Sequence, residues 1–234
     1  RLIKRIIAIS ILIIIISLII VFKTNIFVIK EITCSGENLI TKDYIIETME
    51  QYKSNNIFTI SKSEIEKKLK NNPYVKKVNI TKKLPNKLNI NVEEAKGLYY
   101  YFDGDYYCIV SNELIVLEKL DNIENRDLIE IKGFDVSISR NISDEIDNDT
   151  RVYKLLDEIY KEQGVIKENK EEFAITAVDV SNLSDIKIYI NNIEVLVGND
   201  ENIRNKMSNA ILIYKTGLPK EYINVGFNGT PDFK

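Results

Sequence analysis

Apolar and polar positions along this chain fall into three regimes. In the first, Ile6 to Phe22 (IIAISILIIIISLIIVF) is apolar apart from Ser10 and Ser17. A helix rises about 1.5 Å per residue, so this run sits at the short end of what crosses a hydrocarbon core about 30 Å thick. The stem of Lys23 can carry its amine on to the interface.

The second regime, Phe27 to Glu94, has short periods. Val28, Lys30, Ile32 and Cys34 alternate with Ile29, Glu31 and Thr33, a strand closed by Gly36. Thr41 is placed to cap a helix with Ile45, Met49 and Tyr52 on one stripe. Ser61 and Glu64 form a capping box for a second helix that turns Ile65 and Leu69 inward, and Asn71-Asn72-Pro73 stops it. Two strands then flank a Pro-Asn corner. Val78, Ile80 and Leu84 share one face of the first, and Leu88, Ile90 and Val92 one face of the second. Lys87, Asn89, Asn91 and Glu93 face away.

From Leu98 the third regime is a succession of hairpins, with turns predicted at Asp103-Gly104, Ser111-Asn112 and Asn191-Asn192. Two helices interrupt it. One runs from about Thr150 to Gln163 with Val152, Leu155, Leu156 and Ile159 inside. The other is capped by Asp200 and carries Ile203, Met207, Ala210, Ile211 and Tyr214, with Gly217 and Pro219 beyond its end. A last strand, EYINVGF, precedes the tail NGTPDFK. The acidic stretch Asp121–Asp149 fits no element and is expected to be a surface excursion. The fold class is therefore α+β: an N-terminal transmembrane helix, a β-α-α-β-β unit, then a mainly antiparallel β domain with two helices. The expected divisions are a cytoplasmic end at 1–5, an anchor at 6–23, and domains at 27–95 and 98–234.

Charge orients this arrangement. Arg1, Lys4 and Arg5 precede the apolar run, so the positive-inside rule puts the N-terminus in the cytoplasm and the bulk outside the cell membrane. A cleaved signal peptide would end at small residues, and VFKTNIFVIK offers none; a buried core helix would need a polar face. The first residue is Arg rather than Met, so any longer cytoplasmic tail would precede it. The formal net charge of −3 makes nucleic acid no partner for the whole molecule. Locally the balance reverses: residues 62–87 hold nine lysines and two glutamates, a charge of +7. That is either a solvated surface or, through Lys76, Lys77, Lys82, Lys83 and Lys87, a basic patch for anionic lipid headgroups, wall polymer or an acidic partner.

Catalytic chemistry is poorly provided for. The chain has no histidine, which removes the commonest general base and metal ligand. Asp103-Gly104-Asp105 lacks the further oxygen ligands of a Ca²⁺ loop and reads as a turn. Glu93/Glu94 and Glu171/Glu172 are adjacent, so on strands they point to opposite faces. Tyr99-Tyr100-Tyr101 suits a half-exposed strand, with carbohydrate stacking as a second reading. Cys34 and Cys108 are either two buried thiols or one disulfide, and no cofactor is expected.

Three stretches together resemble the FtsQ/DivIB family of bacterial cell-division proteins. They are FVIKEITCSGENLIT (Phe27–Thr41), NNIFTISKSEIEKKLKNNPYVKKVNI (Asn55–Ile80) and KLPNKLNINVEEAKG (Lys83–Gly97), in that order behind a single anchor. The likeness covers residues 1–120 most closely. It implies a POTRA (polypeptide-transport-associated) domain followed by a β-rich domain, and a non-enzymatic role in septum formation at the division site. It also implies that the distal part of the β domain receives small coiled-coil proteins of the FtsB/DivIC and FtsL types. Carried onto this chain, that part is Tyr222, Ile223, Asn224, Val225, Gly226 and Phe227, a terminal strand expected at a sheet edge. Two rivals remain at this stage. A membrane-tethered wall hydrolase or transferase would need convergent carboxylates or a Ser/Lys pair, and no such motif is visible. A POTRA chaperone would need a transport barrel to feed, and none is expected beyond residue 234.

Overall fold

The computed structural model describes residues 1–36, 40–123, 126–134, 138, 140–227 and 230–234. Residues 37–39 of the Phe27–Thr41 motif, 124–125, 135–137 and 139 of the acidic stretch, and 228–229 of the tail lie outside the described residues. Two compact units form, Arg1–Ala95 and Lys96–Lys234.

The first unit opens with helix α1 (Leu2–Lys23), none of whose residues is buried in the protein. Its length and composition suffice to cross a membrane once. After a 3₁₀ turn at Asn25–Phe27 come β1 (Glu31–Ser35), α2 (Lys42–Glu50), α3 (Lys62–Leu69), β2 (Val75–Lys83) and β3 (Lys87–Glu94). The sheet order is β1-β3-β2, with β1 parallel and β2 antiparallel to β3. Ile45, Met49, Ile65 and Leu69 from the helices bury against Leu88, Ile90, Val92 and Ile80.

Three local readings are corrected here. Ser61 does cap α3, its hydroxyl accepting from the Glu64 N–H at 3.3 Å, but Thr41 makes no such cap on α2. Glu94 serves that end from a distant strand, accepting from the backbone N–H of Ile40 and Thr41 at 2.9 and 2.7 Å and from the Thr41 hydroxyl. Leu84 leaves the apolar face because the Lys83↔Lys87 pair closes the ladder, so Leu84 falls in the turn and is 60% exposed. Lys82 takes the inward position next to Ile80 and donates from Nζ to the Ile60 carbonyl at 2.9 Å.

The second unit is a nine-stranded sheet with two helices. Its strands are β4 (Gly97–Phe102), β5 (Tyr107–Ser111), β6 (Val116–Leu120), β7 (Ile129–Lys132), β8 (Ile175–Asp179), β9 (Ile186–Ile190), β10 (Ile193–Gly198), β11 (Tyr222–Asn224) and β12 (Asp232–Phe233). The order is β12-β11-β10-β9-β8-β7-β4-β5-β6. Neighbours are antiparallel except at β4–β7, β7–β8 and β10–β11. Helix α4 (Thr150–Glu168) and helix α5 (Ile203–Lys215) supply Val152, Leu155, Ile159, Met207 and Ala210 to one core with the strands. The Tyr99 hydroxyl, buried in it, donates to the Leu156 carbonyl at 2.6 Å.

Helix α4 runs past Gln163 and through Gly164. Burial of Ile166 outweighs the glycine's intrinsic cost of about 1 kcal/mol, and Gln163 Oε1 accepts from the Ile175 N–H at 2.8 Å to start β8. Asp200 does not cap α5, whose first turn is entered through Asn202 in a left-handed conformation. Asp200 instead holds Arg151 through two bonds of 2.8 and 2.6 Å. The acidic stretch is no simple excursion. It contributes β7, in mid-sheet between β4 and β8, and residues 143–146, which lie along β6.

Candidate functional site

The two ends of the nine-stranded sheet are finished differently. Beyond β6, the Val116 N–H donates to the Asp144 carbonyl at 2.9 Å and the Ser143 N–H to the Val116 carbonyl at 2.8 Å. The Ile146 N–H donates to the Leu114 carbonyl at 2.8 Å, and the Ile146 side chain is 4% exposed. That end is closed by buried apolar surface as well as by hydrogen bonds.

The other end holds the predicted terminal strand. Only Tyr222–Asn224 of the expected Tyr222–Phe227 is strand, and it is not outermost, since β12 pairs with it at Ile223↔Phe233 and Asn224↔Asp232. Both β12 residues are exposed. The Lys234 carbonyl accepts from the N–H groups of Lys220, Glu221 and Tyr222 at 2.8, 2.7 and 3.3 Å, and the Lys234 N–H returns to the Tyr222 carbonyl at 3.1 Å. Ile223 and Val225 point into the core. The Val225 N–H donates to the Leu196 carbonyl at 2.9 Å, so by strand alternation the Asn224 N–H faces β12. Gly226 is required by packing: a Cβ there would lie 2.9 Å from the Gly198 nitrogen and 3.1 Å from the Val197 carbonyl carbon. Phe227 and Phe233 are exposed in this region, as are Leu212 and Leu218 of α5 and the segment after it. Nothing pairs with the outer side of β12 among the described residues.

Sequence periodicity cannot find a two-residue strand, so β12 and the exposed leucines escape a reading built on patterns. The Gly198–Gly226 contact does leave a trace, since both glycines follow apolar strands.

The five lysines of the basic patch do not share one face. Lys76 and Lys77 lie at the far end of β2 from the turn and both pair with Glu93, at 3.6 and 3.2 Å. The lysines hold the Glu93 carboxyl below its ordinary range. Lys82, Lys83 and Lys87 cluster at the hairpin turn. Lys87 bonds Glu31 at 2.5 Å and stands directly across from Lys83, an unfavourable like-charge pair. Burial, with the nearby charge of Lys62 adding to it, lowers the affinity of Lys82 for its proton.

The remaining candidates are structural. Asp103 closes its turn by accepting from the N–H groups of Asp105 and Tyr106 at 3.1 and 2.8 Å, and it pairs with Lys119 of β6 at 2.7 Å. Burial pushes its carboxyl upward, but Lys119 and the turn amides outweigh burial and hold it well below the usual carboxylate range. Among the described residues no three His, Cys, Asp or Glu side chains gather as a metal site. Glu93 and Glu94 diverge, to the lysines and to the α2 terminus; Glu171 pairs with Lys215 at 2.5 Å. Tyr99 and Tyr101 are core residues, while Tyr100 packs against Tyr107 with centroids 6.0 Å apart. Cys34 and Cys108 are free thiols, and burial raises the pKa of each.

An apolar helix long enough to cross a membrane once, a β-α-α-β-β unit and then a mixed sheet make up the plan of this α+β chain. The domain model "POTRA domain, FtsQ-type" matches residues 27–95. The chain is 36% identical to "Cell division protein DivIB" of Clostridium botulinum (strain Hall) over 237 residues, covering 99% of this chain and 91% of that protein. It is 34% identical to the protein of the same name in Clostridium acetobutylicum, covering 88% of this chain and 82% of that one. For the Bacillus subtilis (strain 168) protein the figures are 36% over 112 residues, 47% and 43%. The chain belongs to the DivIB family of cell-division proteins.

Proposed function

We propose that this chain is a bitopic scaffold of the division site, with its N-terminus in the cytoplasm, that captures small anchored coiled-coil proteins of the FtsB/DivIC and FtsL types at the β11–β12 end of its sheet. The observation that carries this reading is the lightly fastened edge: a two-residue outer strand, exposed on both residues, beside exposed Phe227 and Phe233. An incoming strand would extend the ladder there, and the aromatic side chains would give it apolar contact. The single anchor holds this edge within reach of other anchored chains and so raises their effective concentration. The basic hairpin is a second docking surface for an anionic partner. Its two lysine groups are separated along β2, so they act independently.

Asn224→Pro tests the edge. It removes an N–H that faces β12 and the side-chain oxygen that accepts from the Gly226 N–H at 3.1 Å, and it keeps the Val225 N–H that donates to Leu196 of β10. The detergent-solubilised full chain carrying this change is expected to lose capture of the coiled-coil proteins in a pull-down while keeping its circular dichroism. Undiminished capture would remove the site. Gly226→Pro is a poorer test, because it disturbs the contact with Gly198 as well.

A further inference from the structure

Parallel pairing of β1 with β3 has a geometric consequence for the anchor. The chain leaves α1 at Lys23 and starts β1 at Glu31, so the start of β1 is the end of the sheet next to the membrane. A parallel partner starts at the same end. The β2–β3 turn therefore also points toward the bilayer, and the N–H groups of Lys30 and Glu31 confirm the juxtaposition by donating to the Asn86 carbonyl at 2.9 and 3.4 Å. A second loop is fastened even closer. The Asn56 side-chain amide donates to the carbonyl of Val21 in the last turn of α1. The Ile57 N–H donates to the Phe27 carbonyl at 2.8 Å, and the Ile29 N–H to the Asn55 carbonyl at 2.9 Å.

These segments expose apolar side chains where a folded domain gains nothing from doing so. Ile26 is 50% exposed, Phe58 45% and Leu84 60%. Phe58 is held in place by Phe27, with ring centroids 5.2 Å apart. At the hairpin turn lie Lys82, Lys83 and Lys87, with Lys62 close to Lys82; Glu31 pairs with Lys87, and the Lys82 amine donates to the Ile60 carbonyl.

We infer that this end of the POTRA unit is a membrane-docking surface. Ile26 and Phe58 enter the headgroup–acyl boundary beside the anchor, and the hairpin-turn lysines contact anionic headgroups. Ile26 follows the helix within three residues of its end, and Phe58 lies two residues past Asn56, which is bonded to that helix, so both adjoin a surface suited to hydrocarbon. Each lysine brought to an anionic surface strengthens attachment about fivefold. Glu31 already offsets part of the Lys83↔Lys87 repulsion, and an anionic surface relieves it further. The domain is then tilted to a fixed orientation rather than swinging on a linker. This inference rests on the anchor reading, and the test separates the two.

The chain contains no tryptophan, so one introduced indole reports alone. Full-length F58W, I26W and F22W are reconstituted into vesicles of equimolar phosphatidylcholine and phosphatidylglycerol whose acyl chains are brominated near the headgroup. F22W lies in the anchor and must be quenched if α1 spans the bilayer. F58W and I26W are expected to lose at least about half as much intensity as F22W. In the F58W background, Lys82→Glu, Lys83→Glu and Lys87→Glu together are expected to reduce the quenching. Quenching of F22W with none of F58W or I26W overturns docking and leaves the anchor standing. Absence of quenching in all three overturns both. Quenching of F58W that is indifferent to the lysine reversals and to removal of phosphatidylglycerol overturns the electrostatic contact.

Discussion

The two edges of the nine-stranded sheet have the same problem and opposite solutions. Each would expose a row of unpaired backbone groups, and each is covered by a short segment from elsewhere in the chain. At β6 that segment brings a buried isoleucine, and Lys119 of the same strand is tied to Asp103 in the neighbouring turn. At β11 the covering strand brings an exposed aspartate and an exposed phenylalanine, and much of its hold is the Lys234 carbonyl. A hydrogen-bonded segment without apolar burial adds little net stability, because water offers the same bonds when it leaves. One edge is closed and the other merely latched. The latched edge is where the addition of a foreign strand costs least.

The comparison is broken most severely by removing what closes the first edge. Ile146→Ala should destabilise the protein by about 3 kcal/mol through the cavity it leaves. Phe233→Ala, the corresponding change at the latched edge, should cost under about 1 kcal/mol. Chemical denaturation followed by circular dichroism measures both, and equal effects would erase the distinction.

The next effect is electrostatic. Asp103→Asn should cost about 2 kcal/mol near neutral pH, since it weakens charged hydrogen bonds to Lys119 and to the turn amides. The Asp103 carboxyl is held below its unfolded value, so its contribution is complete above the ordinary carboxylate range. It is lost as pH falls below about 4 toward the folded value, and the difference between wild type and D103N should shrink there. A difference that stayed constant through acid titration would show that the Lys119 pair does not fasten the β6 edge. The corresponding pair at the other edge, Lys234 with Glu221 at 3.0 Å, is exposed and adds little.

How far the sequence speaks depends on how far apart the cooperating residues lie. Ser61, the Ile45/Met49 stripe and the Leu88/Ile90/Val92 alternation are local, and each forms the element its spacing implies. Glu94 is not local to α2, so no pattern assigns it the role that Thr41 was expected to fill. Asp200 looks like a helix cap until Arg151, 49 residues away, takes both its oxygens. Strand β7 is four residues long and sits in an acidic stretch, with Ile129 and Ile131 as its only inward positions. Its place in mid-sheet is set by tertiary pairing rather than by periodicity. The same holds for the site. Ile223 and Val225 alternate visibly, whereas the latch beside them is too short to have a period.

Hydrogen exchange of backbone amides in the full chain tests the latched edge most directly. Without a partner, Phe233 and Lys234 should exchange far faster than Val116 and Ile146. On adding the small coiled-coil division proteins, protection should rise at Asn224, Phe233 and Lys234 and stay unchanged along β6. New protection confined to the POTRA unit or to β6, with β11 and β12 unaltered, would contradict capture at the latched edge.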